Sequence, residues 1–181
     1  MKNYLAILAA STMMTLATVS FAADETAESK AKVEYKSDGG YEASRNAEHV
    51  TSEGTSNTTR ENVDVEVDSK GLTSKTSKSY SVSDPKGLMN KKTDNTKTTL
   101  QEKERGGYKQ TTTSKHTDAD GTNVTLVTIT DVDVDTNGNV TAVAKTDKTV
   151  DPKGMMNKKT TSSMTRTVNG KVVDEKKNTD Y

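Results

Sequence analysis

The chain has no cysteine and no tryptophan, and its 181 residues include only one phenylalanine and two prolines. Without cysteine there can be no disulfide bond, no cysteine nucleophile and no cysteine-ligated zinc site. Hydrophobic residues make up only 29% of the chain, which is too few for the core of a compact enzyme. The composition therefore predicts a protein that is not an enzyme.

An excess of charge of one sign is also missing, because 26 lysines and arginines balance 26 aspartates and glutamates. Nucleic-acid binding normally requires a basic excess, so we expect no nucleic-acid partner. A chain that is disordered because of its charge usually carries a net charge, which this chain lacks. The sequence also has no phosphate-binding glycine loop and no zinc-ligand spacing, so we expect no cofactor.

The one long apolar segment lies at the start of the chain. Lys2 precedes an apolar stretch over residues 5–19, and Ser20 and Ala22 are small residues at the positions read by signal peptidase. This pattern predicts a signal peptide over residues 1–22 and an exported protein, periplasmic or extracellular. An uncleaved N-terminal anchor is the alternative. No later segment has the length and apolar character of a membrane span, so we expect none in the mature chain.

The chain repeats itself with a period of 67 residues. Residues 84–93 and 151–160 share the sequence Asp-Pro-Lys-Gly-x-Met-Asn-Lys-Lys-Thr and differ only at Leu88 and Met155. The same offset relates the Gly-Gly-Tyr of residues 39–41 to that of residues 106–108. We therefore predict a lead-in with the first strand over residues 23–38, repeats over 39–105 and 106–170, and a C-terminal strand over 171–181 that begins a truncated third repeat.

Turn signals divide the mature chain at nearly even intervals and leave strands of roughly 10 to 14 residues between them. Asp-Gly and Asn-Gly predict type I′ hairpin turns with both residues at positive φ, and Asp-Pro-Lys-Gly predicts a type I turn. The predicted fold is all-β, an antiparallel up-and-down meander of about nine or ten long strands. The meander forms an extended single-layer sheet, a closed sheet with a thin core, or a sheet that orders only on assembly.

The repeated Asp-Pro-Lys-Gly segments are the first candidate site, because the two copies match almost completely. Together they carry six lysines, and exposed lysines on paired loops can bind an anionic envelope polymer through additive weak contacts. The alternative is that the segment makes an exacting turn, with its methionines packed back on the sheet. The lysines are Lys86, Lys91, Lys92, Lys153, Lys158 and Lys159.

A second candidate lies at Asp133, Asp135 and Asn137, which follow the opening pattern of a calcium-binding loop. The pattern then fails, because its twelfth position is Ala144 rather than glutamate. A solvated row of aspartates beside a hairpin is the alternative, and no metal site is predicted. The two histidines, His49 and His116, are expected to be ordinary polar strand positions, and no catalytic residues are predicted.

Export and a thin, polar β-structure together predict a structural role at the cell surface or in the extracellular matrix, with self-association through exposed sheet edges. The alternative is a soluble periplasmic binding or accessory module that contacts an anionic envelope polymer through the lysine loops. A largely disordered spacer is a third possibility.

Overall fold

The computed structural model describes residues 26–87, 90–154 and 157–180. Within these ranges, ten antiparallel strands form one sheet whose spatial order follows the chain order, which confirms the predicted all-β meander. A short 3₁₀ segment, Glu104–Gly106, lies between the fifth and sixth strands. The strands are β1 (Thr26–Tyr35), β2 (Tyr41–Val50), β3 (Ser56–Val67), β4 (Thr73–Asp84), β5 (Lys92–Glu102), β6 (Tyr108–Thr117), β7 (Asn123–Val134), β8 (Val140–Asp151), β9 (Lys159–Val168) and β10 (Lys171–Asp180).

Most hairpins in the described residues close with three-residue loops in which only the glycine has positive φ. In the β7–β8 turn the Gly138 N–H donates to the Asp135 carbonyl at 3.1 Å, and Gly138 has φ 82°. This is the pattern of a type I turn followed by a left-handed glycine. The predicted type I′ turn is confirmed at Asn169-Gly170 (φ 48° and 78°). It is wrong at Asp38-Gly39, Asp120-Gly121 and Asn137-Gly138, where only the glycine has positive φ.

Carboxylates stabilise two of the three-residue loops. The side chain of Asp135 accepts hydrogen bonds from the backbone N–H groups of Asn137 and Asn139, both at 2.8 Å. Asp68 does the same for Lys70 and Leu72 in the β3–β4 turn. Each of these aspartates satisfies two backbone donors of its loop. Loops of the same length also open on Lys36, Thr51 and Lys103, so the carboxylate stabilises the loop without setting its length.

The two Asp-Pro-Lys-Gly segments do not make tight turns. They lie within longer connections, since the last paired residues are Ser83 with Lys92 in one and Val150 with Lys159 in the other. Gly87 and Gly154 have φ of 131° and 134°. The remaining residues of these connections include Leu88, Met89, Met155 and Met156, so the prediction that the methionines pack on the sheet lies outside the described residues.

Strand register recurs at the same offset as the sequence. Tyr41 pairs with Val65 as Tyr108 pairs with Val132, and the offset holds for every pairing from β1–β2 to β8–β9. The last hairpin departs from it, because β9 and β10 join by a two-residue turn that pairs Val168 with Lys171. A β-bulge follows between Val172 and Asp174.

The sheet is a single layer, and its two faces differ in chemistry because successive side chains point to opposite faces. One row of directly paired residues on the first face, the small-residue face, carries only alanine, valine, serine and threonine through eight strands. The opposite face, the charged face, includes Glu34, Glu42 and Asp64 in one row. The small-residue row is Val33, Ala43, Val63, Ser77, Thr98, Thr112, Thr128 and Thr146.

Apolar burial is confined to a small part of this sheet. Val63 and Val65 of β3, each 4% exposed, are the buried apolar side chains in the described residues. Hydroxyl pairs cross the small-residue face elsewhere, as between Thr98 and Thr112, whose Oγ1 atoms lie 3.1 Å apart. Cross-strand pairing and backbone hydrogen bonds, rather than a core, therefore supply most of the order.

Candidate interaction surfaces

The lysine loops lie at one end of the sheet. The β4–β5 and β8–β9 connections are on the same side as the β2–β3 and β6–β7 turns, because alternate connections of a meander share an end. Four strand spacings separate the two loops along the sheet, roughly 19 Å. The structure therefore brings the six predicted lysines to one end but keeps them in two groups.

Lys86 and Lys153 pack against the neighbouring turns. A Cβ at Gly54 would lie 3.4 Å from Cδ of Lys86, and a Cβ at Gly121 would lie 2.9 Å from Cδ of Lys153. The aliphatic parts of both side chains thus cover glycines of the adjacent hairpin, as long cationic side chains often do. This contact gives the repeated lysine a structural role that is independent of any ligand.

The other loop lysines differ from one another. Lys92 Nζ lies 3.0 Å from Asp118 Oδ1, and this contact lowers the pKa of the Asp118 carboxyl. Lys159 is half-buried at the start of β9, whereas Lys91 and Lys158 are exposed. Lys91 and Lys158 are therefore the members of the set that are best placed to contact a ligand.

The calcium candidate residues have other partners. Lys103 Nζ lies 2.7 Å from Asp133 Oδ1, and Asp135 accepts the turn hydrogen bonds of Asn137 and Asn139. Within the described ranges, no three histidine, cysteine, aspartate or glutamate side chains are grouped closely enough to hold a metal ion. Asp135 therefore stabilises the hairpin, and Asp133 forms an ion pair with Lys103.

His116 lies opposite Asp94 on β5, with His116 Nδ1 2.7 Å from Asp94 Oδ1. The contact is a cross-strand pair near one end of the sheet, and neither residue is buried. His49 occupies the equivalent position in β2 and pairs in register with Asn57. The arrangement is that of two polar strand positions.

Two lysine–carboxylate clusters were not found by sequence reasoning. Lys36 Nζ, in the β1–β2 turn, lies within 4.0 Å of acidic oxygens of Glu42, Asp64 and Glu66. The equivalent Lys103 contacts Asp131 and Asp133. The signal was available in the sequence, since Lys36, Asp64 and Glu66 are each followed 67 positions later by lysine or a carboxylate.

The outer strands present the most exposed apolar side chains. Val33 and Tyr35 of β1 are 46% and 85% exposed, and Val172 and Val173 of β10 are 61% and 55% exposed. Among the described strands, β1 pairs only with β2 and β10 only with β9. The sheet is therefore open, and each of its edges is a ten-residue strand.

Comparison of the chain with protein-family models, with curated proteins and with solved structures finds no match. Across the described ranges, there is also no helix with the length and apolar character needed to cross a membrane.

Proposed function

We propose that this protein is an exported structural component of the cell surface or extracellular matrix, which assembles by adding strands at its two open sheet edges. The observation that carries the proposal is the open ten-stranded sheet with long strands at both ends. The proposal contains no catalytic step.

The two sheet edges favour the addition of a further strand for two physical reasons. Each outer strand presents a row of backbone N–H and C=O groups that another strand can pair with. Each also presents exposed apolar side chains, namely Val33 and Tyr35 on one edge and Val172 and Val173 on the other. A sheet with so little apolar burial gains cross-strand contacts of about 0.2–1 kcal/mol each when another strand is added.

Export rests on the sequence of residues 1–22, which has the order of a signal peptide. We accordingly propose that the protein lies in the periplasm or outside the cell, where an assembling sheet can serve as a matrix. Mass spectrometry of protein recovered from periplasmic and culture-medium fractions tests this. We expect a chain that begins at Ala23, whereas an intact N-terminus in the membrane fraction would contradict export as a soluble chain.

Sedimentation velocity and negative-stain electron microscopy of the mature chain test the assembly. We expect the sedimentation coefficient to increase with concentration and elongated particles to appear. A single monomeric boundary over a range from micromolar to millimolar would overturn the proposed role.

A second candidate function is binding of an anionic envelope polymer through the lysine loops. It is favoured by the position of both loops at one end of the sheet and by the exposure of Lys91 and Lys158. The test is co-sedimentation with acidic polysaccharide, with Lys91→Ala/Lys158→Ala compared with Lys145→Ala/Lys148→Ala, which removes two exposed lysines from β8. Salt-sensitive binding that only the loop variant loses would support this function.

A further inference from the structure

We propose that copies of this chain join head to tail, with β10 of one copy paired antiparallel to β1 of the next. This inference rests on the proposed structural function and names the partner of each edge. It concerns which edges meet and in which register, and it is separable from whether the protein assembles at all.

Strand direction makes this pairing continuous. Neighbouring strands in the sheet alternate in direction, so with ten strands β1 and β10 run in opposite directions. A second copy in the same orientation therefore presents its β1 antiparallel to the β10 of the first. The up-and-down order continues across the junction, and each face of one sheet meets the same face of the next.

Pairing of β10 with its own copy is disfavoured by charge. When two identical antiparallel strands are related by a twofold axis, one residue stands directly opposite its own copy. The four residues in the middle of β10 are Asp174, Glu175, Lys176 and Lys177. Every well-overlapped pairing therefore sets a charged side chain opposite the same charge, which is destabilising.

Pairing of β1 with its own copy meets the same obstacle in the registers of greatest overlap. A pair centred on Lys30 or on Lys32 sets that lysine opposite itself. A pair centred on Ala31 sets Lys30 opposite Lys32 and Glu28 opposite Glu34, so all four charges face like charges. The registers of greatest overlap are therefore opposed by charge in both homotypic pairs. A shorter β1 register centred on Ser29 sets Glu28 opposite Lys30, but it leaves β10 of both copies unpaired, whereas pairing of β10 with β1 gives every edge a partner.

The pairing between β10 and β1 has a register without this repulsion. With Lys30 opposite Asp174 and Glu28 opposite Lys176, two pairs of opposite charge form on the charged face. The β-bulge between Val172 and Asp174 ends this register before Lys32. Where this register holds, no like charges stand directly opposite each other.

The charged side chains that this register would pair are accessible in the isolated chain. On β1, Glu28 and Lys30 are exposed. On β10, Lys176 is 72% exposed and its Nζ lies 3.6 Å from Asp174 Oδ2, a contact within the strand. Strand addition would give both β10 residues a partner across the junction.

Charge exchange tests the register with little change in composition. The β1 exchange variant carries Glu28→Lys with Lys30→Glu, and the β10 exchange variant carries Asp174→Lys with Lys176→Asp. Both keep the net charge. The matched control carries Lys145→Asp with Asp147→Lys on β8, where the residues directly opposite are uncharged: Ile129, Val127, Met164 and Ser162.

We expect each edge variant alone to raise the concentration needed for assembly by about tenfold, because both opposite-charge pairs become like-charge pairs. The variant carrying all four changes, and a one-to-one mixture of the two edge variants, should assemble like the wild type, since each junction again joins opposite charges. The β8 control should also match the wild type. Thermal melting of each variant at low concentration verifies that the monomer is folded.

The outcomes separate the two proposals. If the wild type assembles and each edge variant alone assembles equally well, or if the mixture fails to recover assembly, the head-to-tail register is wrong while the structural role stands. If the wild type stays monomeric throughout, the structural role and the pairing are both overturned.

Discussion

Gly40 lies so close to the carbonyl oxygen of Val65 that a Cβ at position 40 would sit 2.2 Å from it. Gly107 approaches the carbonyl oxygen of Val132 in the same way, at 2.6 Å. Both glycines follow a glycine with positive φ. Glycine is therefore favoured at the two positions for different reasons. The first position has a left-handed backbone, and the second lies close to the backbone of the neighbouring strand.

Gly40→Ala should lower the free energy of unfolding by about 2–3 kcal/mol, because the backbone of β3 must shift to admit the methyl group. Gly39→Ala is the matched control. Its Cβ would meet no atom within 4 Å, so only the cost of positive φ remains, about 1 kcal/mol. Urea unfolding of both variants gives the comparison, and equal losses would contradict the close-approach explanation.

Lys103→Met should lower the free energy of unfolding by about 1 kcal/mol, because Asp131 and Asp133 lose a shared cation. Lys145→Met is the control, since the residues directly opposite it, Ile129 and Met164, are uncharged. The difference between the two variants should shrink in 1 M salt, where the Debye length is about 3 Å. A difference that is independent of salt would mean that packing, not charge, is lost.

The cluster of Lys103, Asp131 and Asp133 should also make the stability of the protein depend on pH in the alkaline range. The hydrogen bond to Asp131 is the largest cause of a raised pKa at Lys103, and the hydrogen bond to Asp133 is the next largest. A raised folded-state pKa adds stability that is present below the unfolded value and is lost as pH rises through the folded value. The melting temperature should therefore fall above about pH 10.5, and Lys103→Arg, which keeps its charge there, should flatten that fall. An unchanged alkaline profile would contradict the assignment.

Acid should destabilise the β7–β8 turn. Hydrogen bonds from the side chain and backbone of Asn139, and from the backbone of Asn137, lower the pKa of Asp135. Its contribution is therefore present above the unfolded pKa, about 3.9, and is lost as pH falls through the folded value. Asp135→Asn keeps an acceptor that does not titrate, so its melting temperature should fall less between pH 5 and pH 2 than that of the wild type.

Asp135→Ala is the companion variant for the acid prediction. It removes the acceptor at every pH, so its loss of stability should already be present at pH 7. Thr136→Ala changes an exposed residue of the same turn. It should leave the melting temperature at pH 7, and the fall of that temperature in acid, unchanged. If Asp135→Asn and the wild type lose stability in parallel, the turn carboxylate is not the group responsible.

Calcium should not stabilise this chain. Asp133 and Asp135 already have protein partners, so binding an ion would require those contacts to break. Melting curves recorded with millimolar calcium and with a chelator should superimpose. A shift of the midpoint in calcium that Asp133→Asn abolishes would overturn this expectation.

Much of the fold was predictable because its determinants are local. Glycines at Gly54, Gly71, Gly121 and Gly138 mark the turns, and threonine and valine favour the strands between them. A meander needs little more, since successive strands joined by short turns must be neighbours. The turn types were less predictable, because three of the Asp-Gly and Asn-Gly pairs lie in three-residue loops in which only the glycine has positive φ.

The site residues were predicted less completely. The sequence singled out the six loop lysines by their repetition, but it gave no reason to separate Lys86, whose stem covers Gly54, from the exposed Lys91. It missed the contact between Lys36 and Asp64 altogether. Those residues are 28 positions apart and come together only when the register across β2 and β3 is known.

The strands, their order and the recurrence of the pattern can be read from the chain alone, because each depends on residues close together in it. Three features appear only in the folded sheet. Its edges stay open, Val63 and Val65 are buried, and Lys36 and Lys103 each contact carboxylates on the strand beyond their own hairpin. These outcomes depend on register and on twist accumulated over ten strands, and both are properties of the whole sheet.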